Sequence, residues 1–370
     1  MKCFLGLKAF CLLMFANMSC SFDCQKLTLV VGTYTNSPSR DGIYTYEFDQ
    51  ETGSFEALSS VKTTNPSFLA INDKFIYAVN ENDSATSGVT SFSFDPESGD
   101  ITQIVQQNNY SASPCHIVEG DGFVATANYG GGSISTFTTD EDGQLSSLLD
   151  QISFDTKIDT RKSHIHCLTF SPNKNFIFAT DLGKDSIYRL KVASPRNIAA
   201  GKSTLKRLYP ATPLPKGSGP RHLVFDEEGR YLYLINEISG MVNVYYYGDG
   251  HLNEIQSILS DRSGGKGSAD IHISNDGKNL YVSNRLKDDG IAIFDISDNT
   301  GLLTFKDYVQ TGIHPRNFCI SPNDKYVLVA CRDRGVIEIY ERNQDTGMLV
   351  LYGNKIELDS PVFVQLVNRW

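Results

Sequence analysis

The stretch GPRHLVFDEEGRYLYLINE runs from Gly219 to Glu237 and opens on an arginine and a histidine, then closes on an asparagine and a glutamate. Between those ends it reads as a β-hairpin: alternating apolar residues, an acidic–glycine turn, then alternation again. In an antiparallel hairpin the start of the first strand lies beside the end of the second. Arg221, His222, Asn236 and Glu237 are therefore expected to meet at the open end. Guanidinium, imidazole and carboxylate at one point can hold an anion and move a proton. The chemistry this permits is attack of water on an activated ester. A histidine or carboxylate would take the proton, and arginines would hold the substrate anion and the oxyanion.

The hairpin recurs. NPSFLAINDKFIYAVNE, SPCHIVEGDGFVATANY, SHIHCLTFSPNKNFIFATDL, GSADIHISNDGKNLYVSNR and HPRNFCISPNDKYVLVACR follow the same plan. The residues closing each second strand are Asn80, Asn128, Asp181, Asn236, Asn284 and Cys331, spaced 48, 53, 55, 48 and 47 apart. A third strand follows each time (VTSFSFD, ISTFTTD, SIYRLKV, VNVYYYG, IAIFDIS, VIEIYER), then a weaker fourth, including QLSSLLD in the second repeat. Four strands per unit of this length predict propeller blades. SPVFVQLV at the C-terminus supplies one more first strand, and LTLVVGTYT, GIYTYEFD and FEALSSV supply the other three. The expected fold is all-β, a seven-bladed propeller over residues 26–370 whose last blade is closed by both chain ends. ASPRNIAAGKST, the longest insertion, reads as a surface loop.

In a propeller the first strands line the central channel, so the open ends of all blades converge on one rim. The expected catalytic set is His166, Glu237, Arg221 and Arg285, with either Glu237 or His166 as the base. The expected substrate-binding set is His116, Asn128, His164, His222, Asp270 and Arg316. Tyr34, Glu81, Tyr129 and Arg332 fall in the same slot. Other roles compete with these. The asparagines can be turn residues bonding their own backbone, single histidines at strand starts can be structural, and the arginines can brace neighbouring blades. His251, His272 and His314 fit turn, strand or loop roles. NYGGGS, at 128–133, has no helix after it and reads as a tight strand connection, not a phosphate loop.

Composition narrows the classes. The chain has 370 residues, 40% hydrophobic and 21% charged, with a net charge of −10, which argues against nucleic acid as a partner. Lys2, Lys8 and the apolar AFCLLMFA predict a signal peptide over residues 1–20. Ser19-Cys20 predicts either a lipoprotein site with a lipid on Cys20 tethering the chain to a membrane, or cleavage nearby without lipid. The expected location is exported, periplasmic or membrane-tethered, with a cytoplasmic location as the alternative if the N-terminal segment is not a functional signal. The eight cysteines form no CxxC pair. Neither a zinc site nor a full disulfide framework is expected, and buried free thiols in strands are. No Gly-x-Ser-x-Gly elbow is present, so a covalent serine route has no support. No cofactor or metal is called for.

With VGTYT, ANYGGGS, SHIHCLTFSPN, ATDLGKDSIYRL, GPRHLVF, YLINE, ADIHIS, LYVSNR and HPRNFCISP, the chain resembles the bacterial lactonase family of seven-bladed propellers. That group contains propeller-type 6-phosphogluconolactonases and carboxymuconate-lactonising enzymes. The resemblance covers the chain after the signal. It implies a rim site built on His166 of SHIH, Arg221 of GPRH, Glu237 of INE and Arg285 of SNR, and a small anionic lactone as substrate. It implies hydrolysis of a sugar-acid lactone such as 6-phosphoglucono-δ-lactone. A muconate-type ring-closing enzyme and a non-catalytic ligand- or protein-binding propeller are the alternatives.

Overall fold

A computed structural model of the chain describes residues 26–35 and 40–369. The expected signal segment and the lipidation position Cys20 lie outside the described residues. The strands of the described residues form seven four-stranded sheets, six of them with their strands in chain order from the axis outward. One sheet is composite: Pro361–Asn368 is its innermost strand and pairs antiparallel with Lys26–Thr33, which the strands Ile43–Asp49 and Phe55–Val61 follow. The two chain ends therefore close the ring as the sequence predicts, and no open edge is left at the join.

The inner strands are near-continuous apolar runs because both faces are covered by neighbouring blades. Phe123, Ala125, Ala127 and Ile134 of blade two pack on Leu168, Ile177 and Ala179 of blade three in one buried cluster. A second device locks blades to one another. Tyrosines on second strands donate to carbonyls of the next blade's outer turn: Tyr233 Oη to Gly301 O at 2.9 Å, and Tyr281 Oη to Gly347 O at 2.7 Å. Arg342 strengthens the joint between blades five and six. Its buried guanidinium donates to Tyr281 Oη at 2.8 Å, to Asn279 Oδ1 at 2.8 Å and to both oxygens of Asp276 at 3.0 and 3.1 Å. Removing one partner of a buried ionic cluster costs about 3–5 kcal/mol. Arg342→Met is therefore expected to lower the urea midpoint of unfolding by that equivalent while leaving the far-UV circular dichroism of the folded protein unchanged.

Two local expectations are corrected. QLSSLLD is not the fourth strand of blade two; that strand is Asp150–Ser153, and Leu145 makes only an isolated bridge to Thr139. The apolar residue is spent between blades instead, where Leu145 packs with Ile117, Val124 and Phe137. The long insertion is not only loop. It holds the short helix Pro195–Ala199, with proline in the first turn, where its missing N–H costs nothing. Ile198 of that helix is buried in the cluster between blades two and three.

Candidate functional site

The side chains at the channel are aimed by a defect repeated in the first strands. Pairing skips one residue between Pro114 and His116, between Ile165 and Cys167, between Pro220 and His222, and between Pro315 and Asn317. The extra residues are Cys115, His166, Arg221 and Arg316. A bulge of this kind breaks the period-two alternation and re-aims a side chain. The contact it creates is direct: Arg221 Nη1 lies 3.2 Å from Nε2 of His222, its chain neighbour. Consecutive residues of a regular strand point to opposite faces and do not touch this way. Each of these four blades thus gives the channel two successive side chains, one at the rim and one a layer deeper.

The rim layer carries charge. Glu237 follows the second strand of blade four and joins two arginines. Its Oε2 accepts from Arg221 Nε at 2.9 Å, and its Oε1 lies 3.4 Å from Arg285 Nη2 of blade five. Arg221 and Arg285 are buried, at 2% and 4% exposure, so their positions are fixed and their charge is poorly screened. Burial, with each other's proximity, pushes Arg285 down to about 9, and burial likewise lowers Arg221. Arg221 Nη1 also donates to Ala269 O at 2.6 Å, and Arg285 Nε to Gly267 O at 2.7 Å. The hydrogen bonds of Arg221 among the described residues come from Nε and Nη1, not Nη2.

His166 sits beside this pair. Its ring lies 5.2 Å from that of His222 and 5.7 Å, edge-on, from Tyr129. Neither ring nitrogen makes a hydrogen bond among the described residues, and Nδ1 is buried without a partner. Burial, then the Arg221 and His222 charges, hold this imidazole well below the ordinary histidine value, so it is neutral. On the other flank Arg316 approaches Glu81 at 3.9 Å, and Tyr34 donates to the same Glu81 oxygen at 2.8 Å. Burial opposes the Arg316 charge and is outweighed by Tyr34 and Glu81, which hold it above the usual arginine value. His164 is half-buried at the rim, stacked on Tyr129 at 4.4 Å, with Nδ1 2.9 Å from the Tyr129 carbonyl. NYGGGS is the expected tight connection. Gly132 has φ +57°, and a Cβ there would stand 2.7 Å from the Ser163 carbonyl of the loop that carries His164.

The structure divides the expected substrate-binding set. Arg316 and His164 stand at the rim with His166, Glu237, Arg221 and Arg285. His116, His222 and Asp270 belong to the deeper layer and border a cavity of about 340 Å³ on its far side, with Phe68, His272 and Asn317. His116 stacks on Phe68 at 3.9 Å and has Nε2 3.4 Å from the Cys167 thiol. Asp270 is engaged by His222 Nδ1 at 2.7 Å, His272 Nε2 at 2.9 Å and Asn317 Nδ2 at 2.5 Å. Asn128 is not brought to the site. It is fully buried inside its blade and bonded to the side chains of Asn109, Thr126, Ser133 and Ser135, a structural role within the blade and not the bond to its own backbone that the sequence offered as the alternative. Among the described residues the cysteines Cys115, Cys167, Cys319 and Cys331 are buried free thiols, as expected. No group of three or more His, Cys, Asp and Glu among the described residues is placed to hold a metal ion.

The model of the family described as lactonase, 7-bladed β-propeller, matches residues 28–366. A 6-phosphogluconolactonase of Formosa agariphila is 36% identical over 335 residues, 87% of this chain and 94% of that protein. A crystal structure of a candidate 6-phosphogluconolactonase from Bacteroides fragilis is 43% identical and superposes with a TM-score of 0.89, covering 93% of this chain and 98% of that one. The periplasmic gluconolactonase of Pseudomonas aeruginosa is 30% identical with a TM-score of 0.85, covering 93% and 99%.

Proposed function

The chain belongs to the seven-bladed β-propeller lactonase family, and we propose that it hydrolyses a sugar-acid lactone, 6-phosphoglucono-δ-lactone to 6-phosphogluconate in the first instance. The enzyme class is a carboxylic ester hydrolase, in line with its 6-phosphogluconolactonase relative. The observation that carries the reading is a pair of buried guanidiniums sharing one carboxylate beside an uncommitted neutral imidazole. That set matches what lactone opening needs. The substrate is drawn to the arginines, and its carbonyl oxygen lies against Arg221 Nη2 and the Arg285 fork. His166 accepts a proton from water as the water oxygen bonds to the carbonyl carbon. The oxyanion so formed is held by the guanidiniums, fixed in advance and shielded from solvent. Collapse breaks the bond from the carbonyl carbon to the ring oxygen, which leaves with the proton carried by His166. The product is an open hydroxy acid whose carboxylate still faces the arginines.

Glu237 is less suited to the base role because each of its oxygens is engaged by an arginine. Its place in the reaction is to hold the two guanidiniums side by side.

The test is the opening of 6-phosphoglucono-δ-lactone and of glucono-δ-lactone above the spontaneous rate by the purified protein. Arg221→Ala is expected to lower kcat/KM by at least about a hundredfold, the usual cost of an oxyanion donor. No enzyme-dependent opening of either lactone would refute the reading. Export through residues 1–20, with or without lipid on Cys20, is part of the same proposal. Cells expressing the full chain should carry the activity in the envelope fraction, and activity confined to the cytosol would remove it.

A further inference from the structure

Both arginines that grip Glu237 are backed in the same way. Behind Arg221, Nη1 meets His222 Nε2 at 3.2 Å, and His222 Nδ1 meets the Asp270 carboxylate of the next blade at 2.7 Å. Behind Arg285, Nη1 meets His314 Nε2 at 3.0 Å, and His314 Nδ1 meets Asp333 of the next blade at 3.2 Å. A guanidinium can only donate and an ionised carboxylate can only accept. Each ring must therefore accept at Nε2 and carry its proton on Nδ1. Arg332 Nη2 also comes within 3.2 Å of His314 Nδ1, while its Nε and one Nη2 proton go to Asp333 at 2.6 and 3.1 Å. The Nδ1–H form is the one that pairs both ring nitrogens, Nε2 accepting from Arg285 and Nδ1 donating to Asp333.

We propose that Asp270–His222 and Asp333–His314 are two matched positioning pairs, which hold Arg221 and Arg285 through neutral acceptors so that both guanidiniums stay fixed without being neutralised. A carboxylate in place of either imidazole would hold its arginine as firmly and cancel its field. An imidazole locked by a carboxylate one step further back fixes the geometry and keeps the second anion off the guanidinium. In direct contact with the two arginines there is then one carboxylate, Glu237, and two uncharged rings. The surplus positive charge faces the open rim, where an anion or an oxyanion can use it. Each chain from arginine to carboxylate crosses a blade boundary, four to five at His222–Asp270 and five to six at Arg285–His314, so the spacing of the two arginines is set by the packing of the propeller.

The His314 backbone fits this duty. It has φ +65°, rare for a side chain of this size, and is pinned by its N–H to Asp289 Oδ1 at 3.0 Å and by Arg332 N to its carbonyl at 3.0 Å. The consequence for turnover rests on the lactonase reading; the tautomers do not.

The experiment has two arms. In ¹⁵N-histidine-labelled protein at pH 7, with His222→Gln and His314→Gln used for assignment, both rings are expected to show the neutral Nδ1–H form. A neutral Nε2–H form or a charged ring at either position overturns the proposal, whatever the enzyme does. In the kinetic arm His314→Leu and His222→Leu remove the acceptor, and kcat is expected to fall about tenfold to a hundredfold, in line with loss of a charged hydrogen bond. Glutamine can accept from the arginine and donate to the carboxylate, so each Gln variant is expected to recover most of that loss. Leu and Gln variants equally impaired, or Leu variants unimpaired in a wild type that turns over, would overturn it. A wild type that opens no lactone would sink the functional reading and leave the tautomer arm to decide this one.

Discussion

His166→Gln is expected to lower kcat by about 10² to 10⁴, the range for loss of a positioned general base, with KM little changed. The imidazole is the one rim side chain whose ring nitrogens are uncommitted, so its removal breaks no hydrogen bond or ion pair among the described residues. Unfolding should therefore stay close to that of the wild type. Glu237→Gln gives a different signature. It keeps the shape but deletes the anion between two guanidiniums, both nearly inaccessible to water. Breaking such a pair from one side costs about 3 kcal/mol or more, toward the lower end because Glu237 itself is 25% exposed. That variant should unfold earlier, and KM should rise along with the fall in kcat as the arginines lose their register. Steady-state kinetics beside thermal unfolding on the two proteins separates the roles. A large fall in kcat at constant KM and constant stability in Glu237→Gln, with His166→Gln near wild type, would move the base to Glu237.

The blade plan was readable because each blade repeats the same hairpin and each hairpin carries its polar ends at the same phase. Closure by both chain ends followed from counting strands: one left over at the C-terminus, three at the N-terminus. The depth of each channel residue was not read from the sequence, although three of the four bulges follow a proline, Pro114, Pro220 and Pro315, and that proline was a usable signal. A strict alternation sends Arg221 and His222 to opposite faces; the extra residue brings them into contact and drops His222 one layer below the rim. That is why His116 and His222, expected with the rim residues, lie a layer below them, where Asp270 bonds His222. Asn128 was misplaced for a related reason: its blade interior offers it Ser133 and Ser135, partners that only the folded hairpin brings near. His314 went unrecognised, although alignment of the repeats contained a signal. Asn65, Ser113, Gly219 and Ser360 occupy the same place before the first strand, and all are left-handed, with φ between +43° and +65°. Four blades use small or turn-forming residues there, and blade six uses a histidine. An imidazole at a position that favours glycine or asparagine marks a side chain kept for what it touches.

Stability is expected to fall as pH drops from about 6.5 to 4, before most carboxylates titrate. Burial, then the adjacent Arg221, pushes His222 down to about 4, and burial with Arg285 and Arg332 pushes His314 down to about 3. His116 and His166 are also held well below their ordinary value, mainly by burial. In the unfolded chain each of these rings takes up its proton near pH 6.5. Between that pH and the folded value the unfolded state binds more protons than the native one, so unfolding becomes easier as acid is added, and the penalty stops growing once the folded ring is protonated as well. For His222 alone the interval from 6.5 to about 4 is worth about 3 kcal/mol. Asp270 adds a second loss lower down. Burial works to raise it and is outweighed by His272 and by the hydrogen bond from His222, so its carboxylate is held well below the usual range. The stability it contributes is present above the unfolded carboxylate value near 4 and is lost as pH falls from there through its lower folded value. Urea unfolding at intervals from pH 7.5 to 4 should therefore show a slope that begins near 6.5, and His222→Gln should make it shallower by that ring's share. A wild-type curve level down to pH 5 would mean that these imidazoles are not buried neutral, and with that the separation of fixed geometry from cancelled charge at the two arginines would lose its physical basis.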